Sequence, residues 1–536
     1  MRSLSGGTRR TVSIFAVFMM VLTSFAGIMS QAGAQDRPVM RFGTNAADIQ
    51  TLDPHFSSAT GDRTIVDMVF NGLVRFVPGD ATQFEADLAT EMPVATENED
   101  GTQTWAFTLR DDVQCHGTAG SEAYAMTSAD VLFSYSKVSN PDTSGYAGGY
   151  AGWSFDAPDA TTFNITLETP VSEALFLPQV ANYSGGYVLC EESYNALGAD
   201  QFITSPAGTG PFTFESYTPQ VAVVLTANDD FYRGAPQLGG VEVTFVADGT
   251  SREQALQSDD LDVIAGVPEA QWVDRMSEVE GLQVDVFGVG EVVFLNLDVE
   301  HEILKDPLVR EAILLAINRE DTIALSGSPV SEPVYSVVPE AFMPGGLSEE
   351  AATEAGVNYE QDLERAQELL AEAGYAEGFE LDLVSSEMDS YLRAYTVLQE
   401  QLSEIGITVN LEVVQHQAMH DLIREGSNAI VIYVAFRPTA DVYLTQFFST
   451  GGGVTNFSHF TLDELVEQAR TTTDADEQAA LWQQANTEII ENFAGYGLMY
   501  TNQVYAKNAN VDYGHELVSV VQLYPGIDET TSIGGD

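Results

Sequence analysis

Residues 429–435 read Ala-Ile-Val-Ile-Tyr-Val-Ala, a stretch of seven residues without a charged side chain or a turn former. A strand that is apolar on both faces is typical of a sheet covered by helices. The chain before it alternates between helical and strand periodicity: the predicted helices are 307–325, 359–373, 391–405 and 417–425, and the predicted strands are 379–383 and 407–413. This alternation predicts an α/β domain from about residue 291 onward.

Capping residues mark several of these elements. Asp306 is a typical N-cap, and Pro307 is the residue type favoured in the first helical position. Gly374 and Gly406 follow two of the predicted helices, as glycine commonly does at a helix C-terminus.

The first half of the chain has a different pattern. From about residue 39 to 206 it consists of short alternating runs separated by turn residues; one predicted strand face carries Trp105, Phe107 and Leu109, and another carries Phe163, Ile165 and Leu167. Asp100-Gly101 before the first run is a hairpin signal. Two more strands are predicted at 221–227 and 241–246. The pattern favours largely antiparallel sheet, and no repeat of 20 to 50 residues suggests a solenoid.

Composition excludes several classes of protein. The 536 residues include 21 Lys and Arg against 80 Asp and Glu, a formal net charge of −59, with 44% hydrophobic residues. A disordered acidic tail would lack that apolar content. A field this negative repels phosphate backbones, so nucleic acid is not expected as a partner. The acidic surface is interpreted as a solubility device; attraction of a cationic ligand is the alternative.

The first 34 residues resemble a secretory signal peptide. Arg2, Arg9 and Arg10 form a basic start, residues 12–28 are mostly apolar, and Ala32-Gly33-Ala34 is a small-x-small cleavage pattern. The alternative is a membrane anchor, although the apolar stretch is marginal for a span of about 20 residues. No Cys near the cleavage point accepts a lipid. We expect a soluble exported protein in the periplasm, not a lipoprotein.

Catalytic and metal-binding patterns are poorly represented. His301-Glu302 begins like a zinc-protease helix, but Lys305 stands where the second His is needed. The sequence contains neither a G-x-S-x-G elbow nor a phosphate-binding G-K pair. Cys115 and His116 are adjacent, so on a strand they point to opposite faces. The sequence therefore predicts no enzyme, no metal and no cofactor.

The chain has two cysteines, Cys115 and Cys190. In an oxidising compartment they are interpreted as a disulfide that closes a long loop. Two buried thiols remain the alternative.

The loop after the strand at 429–435 is the first place to look for a ligand, because in open α/β sheets ligands bind beyond the carboxyl ends of the strands. Arg437 lies there, and a guanidinium binds carboxylates or sulfonates bidentately. The alternative is an ordinary ion pair with one of the many acids.

Several segments, taken in order, resemble the peptide/opine/nickel group of extracellular solute-binding proteins, family 5, which deliver solutes to ABC importers. The resemblance covers nearly all of the chain after the predicted signal peptide. The segments are Thr51-Leu52-Asp53-Pro54-His55, Asn71-Gly72-Leu73-Val74, Phe107-Thr108-Leu109-Arg110 with residues 127–134, Gly208-Thr209-Gly210-Pro211-Phe212, Asn228 with residues 231–236, residues 306–313, Ala373-Gly374-Tyr375 and residues 401–407.

The resemblance implies a two-lobed periplasmic binding protein fold of the α/β class, class II or cluster C-like, with a β-rich subdomain inserted in lobe I and a hinge. The expected division is 1–34 signal peptide, 35–72 and 205–288 lobe I, 73–204 β-rich subdomain, 289–498 lobe II, and 499–536 return to lobe I with a C-terminal tail.

The sequence departs from the peptide-binding members at one informative point. They resemble W-x-x-D-Y-x-D-P after the buried strand, where the first Asp holds the amino group of the peptide. Here Tyr433 takes the Trp position and Phe436 takes the Asp position. An ammonium facing Phe436 and Arg437 would lose its partner and meet a like charge. An anionic or neutral organic solute is therefore favoured, although a peptide held differently stays possible.

Other candidate ligand contacts are Tyr433, Phe436 and Trp153, which can stack on a ring or a sugar face. The alternative is that each belongs to a hydrophobic core or to the interface between lobes, and for Trp153 this alternative is favoured. Asp441, in the same loop, and His416, on a short predicted helix with His420, complete the set of candidates.

The hypothesis from the sequence is a monomeric, non-enzymatic protein that captures a small organic solute by lobe closure and delivers it to permease subunits in the inner membrane. The alternatives are a secreted hydrolase and a chaperone or sensor relative that has lost transport.

Overall fold

The computed structural model describes residues 37–455, 457 and 460–534. The predicted signal peptide lies outside the described residues. The strands are β1 Val39–Thr44, β2 Val74–Val77, β3 Asp80–Ala86, β4 Val94–Glu97, β5 Gln103–Thr108, β6 Gln114–Cys115, β7 Tyr124–Ala125, β8 Trp153–Asp159, β9 Thr162–Leu167, β10 Phe212–Thr218, β11 Ala222–Ala227, β12 Gly240–Phe245, β13 Val263–Ala265, β14 Leu282–Leu297, β15 Ser331–Pro333, β16 Phe379–Ser386, β17 Ile407–Val414, β18 Ile430–Ala435, β19 Gly495–Asn508, β20 Val511–Asp512 and β21 Ser532–Ile533.

The helices lie mostly in the second half, as the periodicity predicts. They are α1 Thr60–Val69, α2 Ser128–Val138, α3 Glu173–Val180, α4 Glu191–Leu197, α5 Ala199–Phe202, α6 Gly249–Gln257, α7 Ala270–Ser277, α8 Pro307–Ala316, α9 Arg319–Ile323, α10 Glu349–Glu354, α11 Leu363–Glu372, α12 Asp389–Glu404, α13 His416–Arg424, α14 Ala440–Phe447, α15 Phe460–Thr471 and α16 Ala475–Glu491.

One helix boundary differs from its prediction. The Asp306 side chain accepts from the Leu308 amide and Pro307 lies in the first turn, as expected, but the helix ends at Ala316 rather than near residue 325. Asn318 then caps a separate short helix, because its side chain accepts a hydrogen bond from the Glu320 amide at 3.0 Å. A capping side chain competes with continued helix, and periodicity alone does not reveal that competition.

The β-rich region forms as predicted. Strands β4, β5, β9 and β8 make an antiparallel sheet, and β5 pairs with β9 in register. Trp105 and Phe107 of β5, Leu109 just beyond it, and the alternating residues of β9 are all buried in one hydrophobic core. The hairpin before β5 contains Asp100 and Gly101, and Gly101 has a φ of +87° that a residue with a Cβ adopts only with strain.

A mixed sheet joins the two halves of the protein. Within the described residues it has nine strands, in the order β10-β11-β12-β1-β13-β19-β14-β18, with β15 paired to β19. Strands β14 and β19 are long and antiparallel, and their register shifts between Phe287 and Glu291. On one side of the shift, Phe287 packs in one hydrophobic core with β1 and β12; on the other, Val292 packs in a different core with α8 and α12. The two cores are those of two lobes.

The strand at residues 430–435 is buried along its whole length, as predicted. Its setting differs from that of a parallel α/β strand, because β18 pairs antiparallel with β14 at the end of the nine-strand order. The parallel pair β16 and β17 lies beside it as a separate small sheet. Helix α12 packs on β16, β17 and β18 and supplies the helical cover that the sequence predicts.

Cys115 and Cys190 are joined by a disulfide, and both side chains are fully buried. The bond links β6 to the residue before α4, across 75 positions of sequence. It therefore closes part of the β-rich region onto itself.

Thiol titration checks this bond in solution. The unreduced protein, denatured so that every thiol is accessible, should contain no free thiol, because Cys115 and Cys190 are the two cysteines of the chain and the structure bonds them to each other. The same sample after reduction should titrate two thiols and serves as the control. Two thiols without reduction would contradict the bond.

In the part of the chain that the structure describes, no helix is both long enough and apolar enough to cross a bilayer.

Candidate ligand-binding site

A cavity of about 610 Å³ opens at the carboxyl end of β18. Its walls come from the start of α1, from the β-rich region, from the long strand β14 and from β18, α12 and α13. The lining residues are Ser58, Ala59, Thr60, Arg63, Tyr183, Glu291, Tyr391, His416, Gln417, His420, Arg424, Tyr433, Val434, Ala435, Phe436, Arg437, Gly453, Val454 and Leu523. A second cavity of about 700 Å³ adjoins it and shares Ala59, Thr60, Glu291 and Leu523. The two cavities lie between the lobes.

Four of the predicted residues line the first cavity: Tyr433, Phe436, Arg437 and His416. Tyr433 is the least accessible of them, since its hydroxyl donates to the Val454 carbonyl at 2.8 Å and its ring packs 4.7 Å from that of Phe447. Phe436 contacts both the lobe II core and the core of the β-rich region. Phe436 therefore lies where the two parts of the protein meet.

Arg437 is oriented by neutral groups. Its Nε donates to Gln446 Oε1 at 2.6 Å, one Nη donates to its neighbour's carbonyl at 2.7 Å, and the guanidinium lies 4.9 Å from the centre of the Phe447 ring. Among the described residues, no carboxylate forms an ion pair with it. The guanidinium is thus held in position at the cavity wall with donors to spare.

Arg63 presents a second guanidinium from the opposite lobe. It lies in the first turns of α1, 4.7 Å over the Tyr183 ring, and its Nε is buried without a hydrogen-bond partner in the described structure. As with Arg437, no acidic side chain among the described residues forms an ion pair with it. Arg424 is the third arginine of the cavity, and it is paired with exposed Asp421.

His416 and His420 form a linked pair on α13. Their Nε2 atoms lie 3.2 Å apart, and His416 Nδ1 is 3.1 Å from the Ser386 hydroxyl. The His420 ring stacks on Tyr433 at 6.1 Å. Burial, followed by the neighbouring His416 and Arg424, lowers the pKa of His420 to about 4. His420 is therefore neutral at physiological pH and contributes a hydrogen-bonding ring rather than a charge.

Glu291 is the one acidic residue in the described lining of the first cavity, whereas the second cavity is also lined by Asp48 and Asp62. The Glu291 side chain is exposed and lines both cavities. Desolvation in the cavity wall raises the pKa of its carboxyl, and the positive charge of Arg437 opposes the shift.

Two predicted contacts lie elsewhere. Trp153 belongs to the aromatic cluster of the β-rich region, with its ring stacked on Phe176 at 5.4 Å, and it is not among the lining residues of either cavity. Asp441 is buried in the first turn of α14, and its Oδ1 forms an ion pair with Arg470 Nε at 3.2 Å. Neither residue lines the described cavities.

Sequence reasoning missed Arg63, Tyr183, Glu291, Tyr391 and Arg424. They are spread from α1 to α13, and none belongs to a recognisable motif. The scarcity of basic residues in this chain is the one signal that marks the arginines as candidates.

Across the described part of the chain, no three His, Cys, Asp or Glu side chains are grouped so that they could hold a metal ion.

Comparison with known proteins gives a consistent picture. The sequence profile of bacterial extracellular solute-binding proteins, family 5 (middle region), matches residues 83–455. Among curated relatives, di/tripeptide-binding protein 2 of Pseudomonas aeruginosa (strain UCBPP-PA14) is 24% identical over 92% of this chain and 95% of its own.

Among solved structures, the binding protein MoaA of A. tumefacien R10 in complex with mannopinic acid is 32% identical, with a TM-score of 0.77 over 93% of this chain and 100% of its own. The binding protein AgaA of A. tumefacien R10 in complex with agropinic acid is 23% identical, with a TM-score of 0.73 over 93% of this chain and 99% of its own. At 23% identity, the similarity to AgaA shows the fold alone.

Proposed function

The chain belongs to the bacterial extracellular solute-binding proteins of family 5, and we propose that it captures an anionic organic solute between its lobes for an ABC importer. The observation that supports a negative charge on the solute is the composition of the cavity lining. Three of the 21 basic residues of the chain line one cavity, against a single acid in the described lining. In a protein with 80 acidic residues, such a concentration of guanidinium groups favours a negatively charged guest.

The positions of Arg63 and Arg437 strengthen this proposal. Keeping a cationic side chain in a partly desolvated cavity wall costs free energy unless an anion compensates its charge. Neither guanidinium has an acidic partner among the described residues, and they come from opposite lobes. A solute with carboxylates at both ends would supply the missing charge to each lobe and thereby favour the closed state.

Phe436 argues against a peptide held by its amino group in the way of the peptide-binding relatives. It stands where those proteins carry Asp, and it packs against apolar side chains of both cores. The relative that is 32% identical is in complex with mannopinic acid. We propose an opine-like acid or a related small anion as the solute.

We further propose that the protein is a monomer without catalytic activity, exported by a cleavable signal peptide to the periplasm, where it meets the permease subunits. Lobe I would comprise residues 35–72, 205–288 and 499–536, the β-rich subdomain 73–204, and lobe II 289–498. The relatives reported above are binding proteins rather than hydrolases, which supports this choice over the hydrolase alternative.

The function is tested by native mass spectrometry of gently purified protein. We expect a non-covalent adduct of a small acid that is released on denaturation and is identified by its mass. Calorimetry with mannopinic acid and with a matched cationic peptide, trilysine, then compares the two charges. Stronger binding of trilysine would overturn the anionic assignment.

Closure about the hinge is a separate prediction. The register of β14 and β19 shifts between Phe287 and Glu291, and at Gly290 a Cβ would clash with the Thr501 carbonyl oxygen. Such a break between two cores allows the lobes to rotate as units. Small-angle X-ray scattering should show a smaller radius of gyration when the identified solute is added at saturation. An unchanged radius would contradict closure.

A further inference from the structure

The N-terminal end of α3, in the β-rich region, contacts lobe II. The Ser172 hydroxyl donates to Gln478 Oε1 of α16 at 2.7 Å, although the two residues are 306 positions apart in sequence. Both residues are buried, with exposed fractions of 2% and 0%. Further along the helix, Leu175 packs against the lobe II core, while Phe176 belongs to the core of the β-rich region. Helix α3 is therefore shared between two parts of the protein.

Each partner of this hydrogen bond is oriented by its own part of the protein. Ser172 is the N-cap of α3, and its hydroxyl oxygen accepts from the Leu175 amide at 3.3 Å. The side-chain nitrogen of Gln478 donates to the carbonyls of Ala469 and Thr472, at 2.7 and 3.2 Å. Because none of these bonds crosses the contact, each half keeps its hydrogen bonds when the two halves separate.

The β-rich region is attached more firmly to lobe I than to lobe II. The ion pairs Lys137–Asp53, at 2.9 Å, and Arg233–Asp87, at 3.1 Å, join it to lobe I, and both aspartate side chains are almost fully buried. Among the described residues, no ion pair joins it to lobe II. Breaking a buried ion pair costs far more free energy than breaking a neutral hydrogen bond. Rotation about β14 and β19 should therefore separate α3 from α16 and leave the β-rich region on lobe I.

We propose that Ser172 and Gln478 form a latch that holds the two lobes closed, with Leu175 as its apolar part. The contact exists only when lobe II meets the β-rich region, so it stabilises the closed state and slows the release of an enclosed solute. Ser172 and Gln478 are positioning residues, because neither lines the described cavities. The inference rests on the lobe closure proposed above, but not on the charge of the solute.

Double electron–electron resonance measures the balance between the open and closed states without a solute. Spin labels at Ala106→Cys and Glu364→Cys mark exposed positions of the β-rich region and of lobe II, and the native disulfide leaves no other thiol to label. We expect two distance populations in the labelled parent protein. Ser172→Ala should lower the ratio of closed to open protein about two- to tenfold, the range for one neutral hydrogen bond.

Ser348→Ala is the matched control. The Ser348 side chain caps α10 in lobe II by accepting from the Ala351 amide at 3.1 Å, so this variant loses an N-cap without losing the contact with the β-rich region. It should leave the ratio unchanged. A shift as large as that of Ser172→Ala would assign the effect to the lost cap and would overturn the latch.

A double-mutant cycle tests whether Ser172 acts through Gln478. Gln478→Met should lower the ratio as Ser172→Ala does, and the double variant should show no further change, because either substitution removes the same bond. Leu175→Ala should shift the ratio in the same direction, and it keeps the test available if Gln478→Met does not fold.

A distance distribution that none of these variants changes, or an effect of Ser172→Ala that persists in full in the Gln478→Met protein, would overturn the latch. The measurement uses no solute, so its failure leaves the anionic assignment standing. Failure of the calorimetric test of the anionic assignment likewise leaves the latch standing.

Discussion

Replacing Arg437 by alanine should weaken binding of the native acidic solute by roughly thirtyfold to several thousandfold, which corresponds to about 2 to 5 kcal/mol. The guanidinium is held by Gln446 and by a backbone carbonyl at the cavity wall, and no carboxylate among the described residues pairs with it. Truncation therefore removes the partner of a desolvated anion while costing the empty protein only neutral hydrogen bonds. Calorimetry with the co-purified solute measures the loss of affinity.

Arg365→Ala is the matched control. Arg365 lies on the surface of α11, where it pairs with Glu368 and Glu372, so its loss changes the net charge by the same amount without touching the cavity. It should leave the affinity unchanged. The melting temperature of empty Arg437→Ala should lie within a few degrees of the parent. An Arg437→Ala protein that binds the solute as tightly as the parent would show that Arg437 has a structural role, and the anionic assignment would lose its main support.

The main features of the fold could be predicted because they depend on local patterns. Two local patterns indicate burial directly: the alternation at Trp105, Phe107 and Leu109, and the apolar run of β18. The residues of both patterns are buried in the structure. The boundary at Asn318 could not be predicted in the same way. There the helical periodicity continues, and a single capping side chain interrupts it.

The antiparallel pairing of β18 could not be predicted from its local sequence pattern. Its apolar run was interpreted as a strand within a helix-covered sheet, with a ligand expected beyond its carboxyl end. The cavity does lie at that end, but β18 pairs antiparallel with hinge strand β14. The choice of partner strand depends on residues more than 130 positions away in sequence. No local pattern carries that information.

The same limit explains the split of the candidate site. Tyr433, Phe436, Arg437 and His416 follow or precede recognisable elements of lobe II, and all line the cavity. Arg63 lies in α1 and Glu291 on the hinge strand, and only the tertiary fold brings them to the same cavity. A single sequence reveals a residue next to a motif more readily than one that reaches the site from another lobe.

Lys137 and Asp53 form a buried ion pair whose loss should destabilise the protein by about 3 to 5 kcal/mol. Lys137 Nζ lies 2.9 Å from Asp53 Oδ2 and 3.0 Å from the Thr143 carbonyl, and both charged side chains are almost fully buried. The pair fastens α2 of the β-rich region to the loop that precedes α1. Lys137→Met leaves the Asp53 carboxylate buried without its counter-charge. Urea denaturation should show a lower midpoint for this variant.

A double variant separates the unpaired charge from the lost packing. In Lys137→Met with Asp53→Asn, no charge is left buried, so the double variant should be more stable than Lys137→Met alone. Lys305→Met is the control, because Lys305 is exposed and its replacement removes the same positive charge. It should leave the free energy of unfolding within about 0.5 kcal/mol of that of the parent. A Lys137→Met protein as stable as Lys305→Met would contradict the stabilising role of the Lys137–Asp53 ion pair. The buried charge of Asp53 in the segment at residues 51–55 would then have another cause.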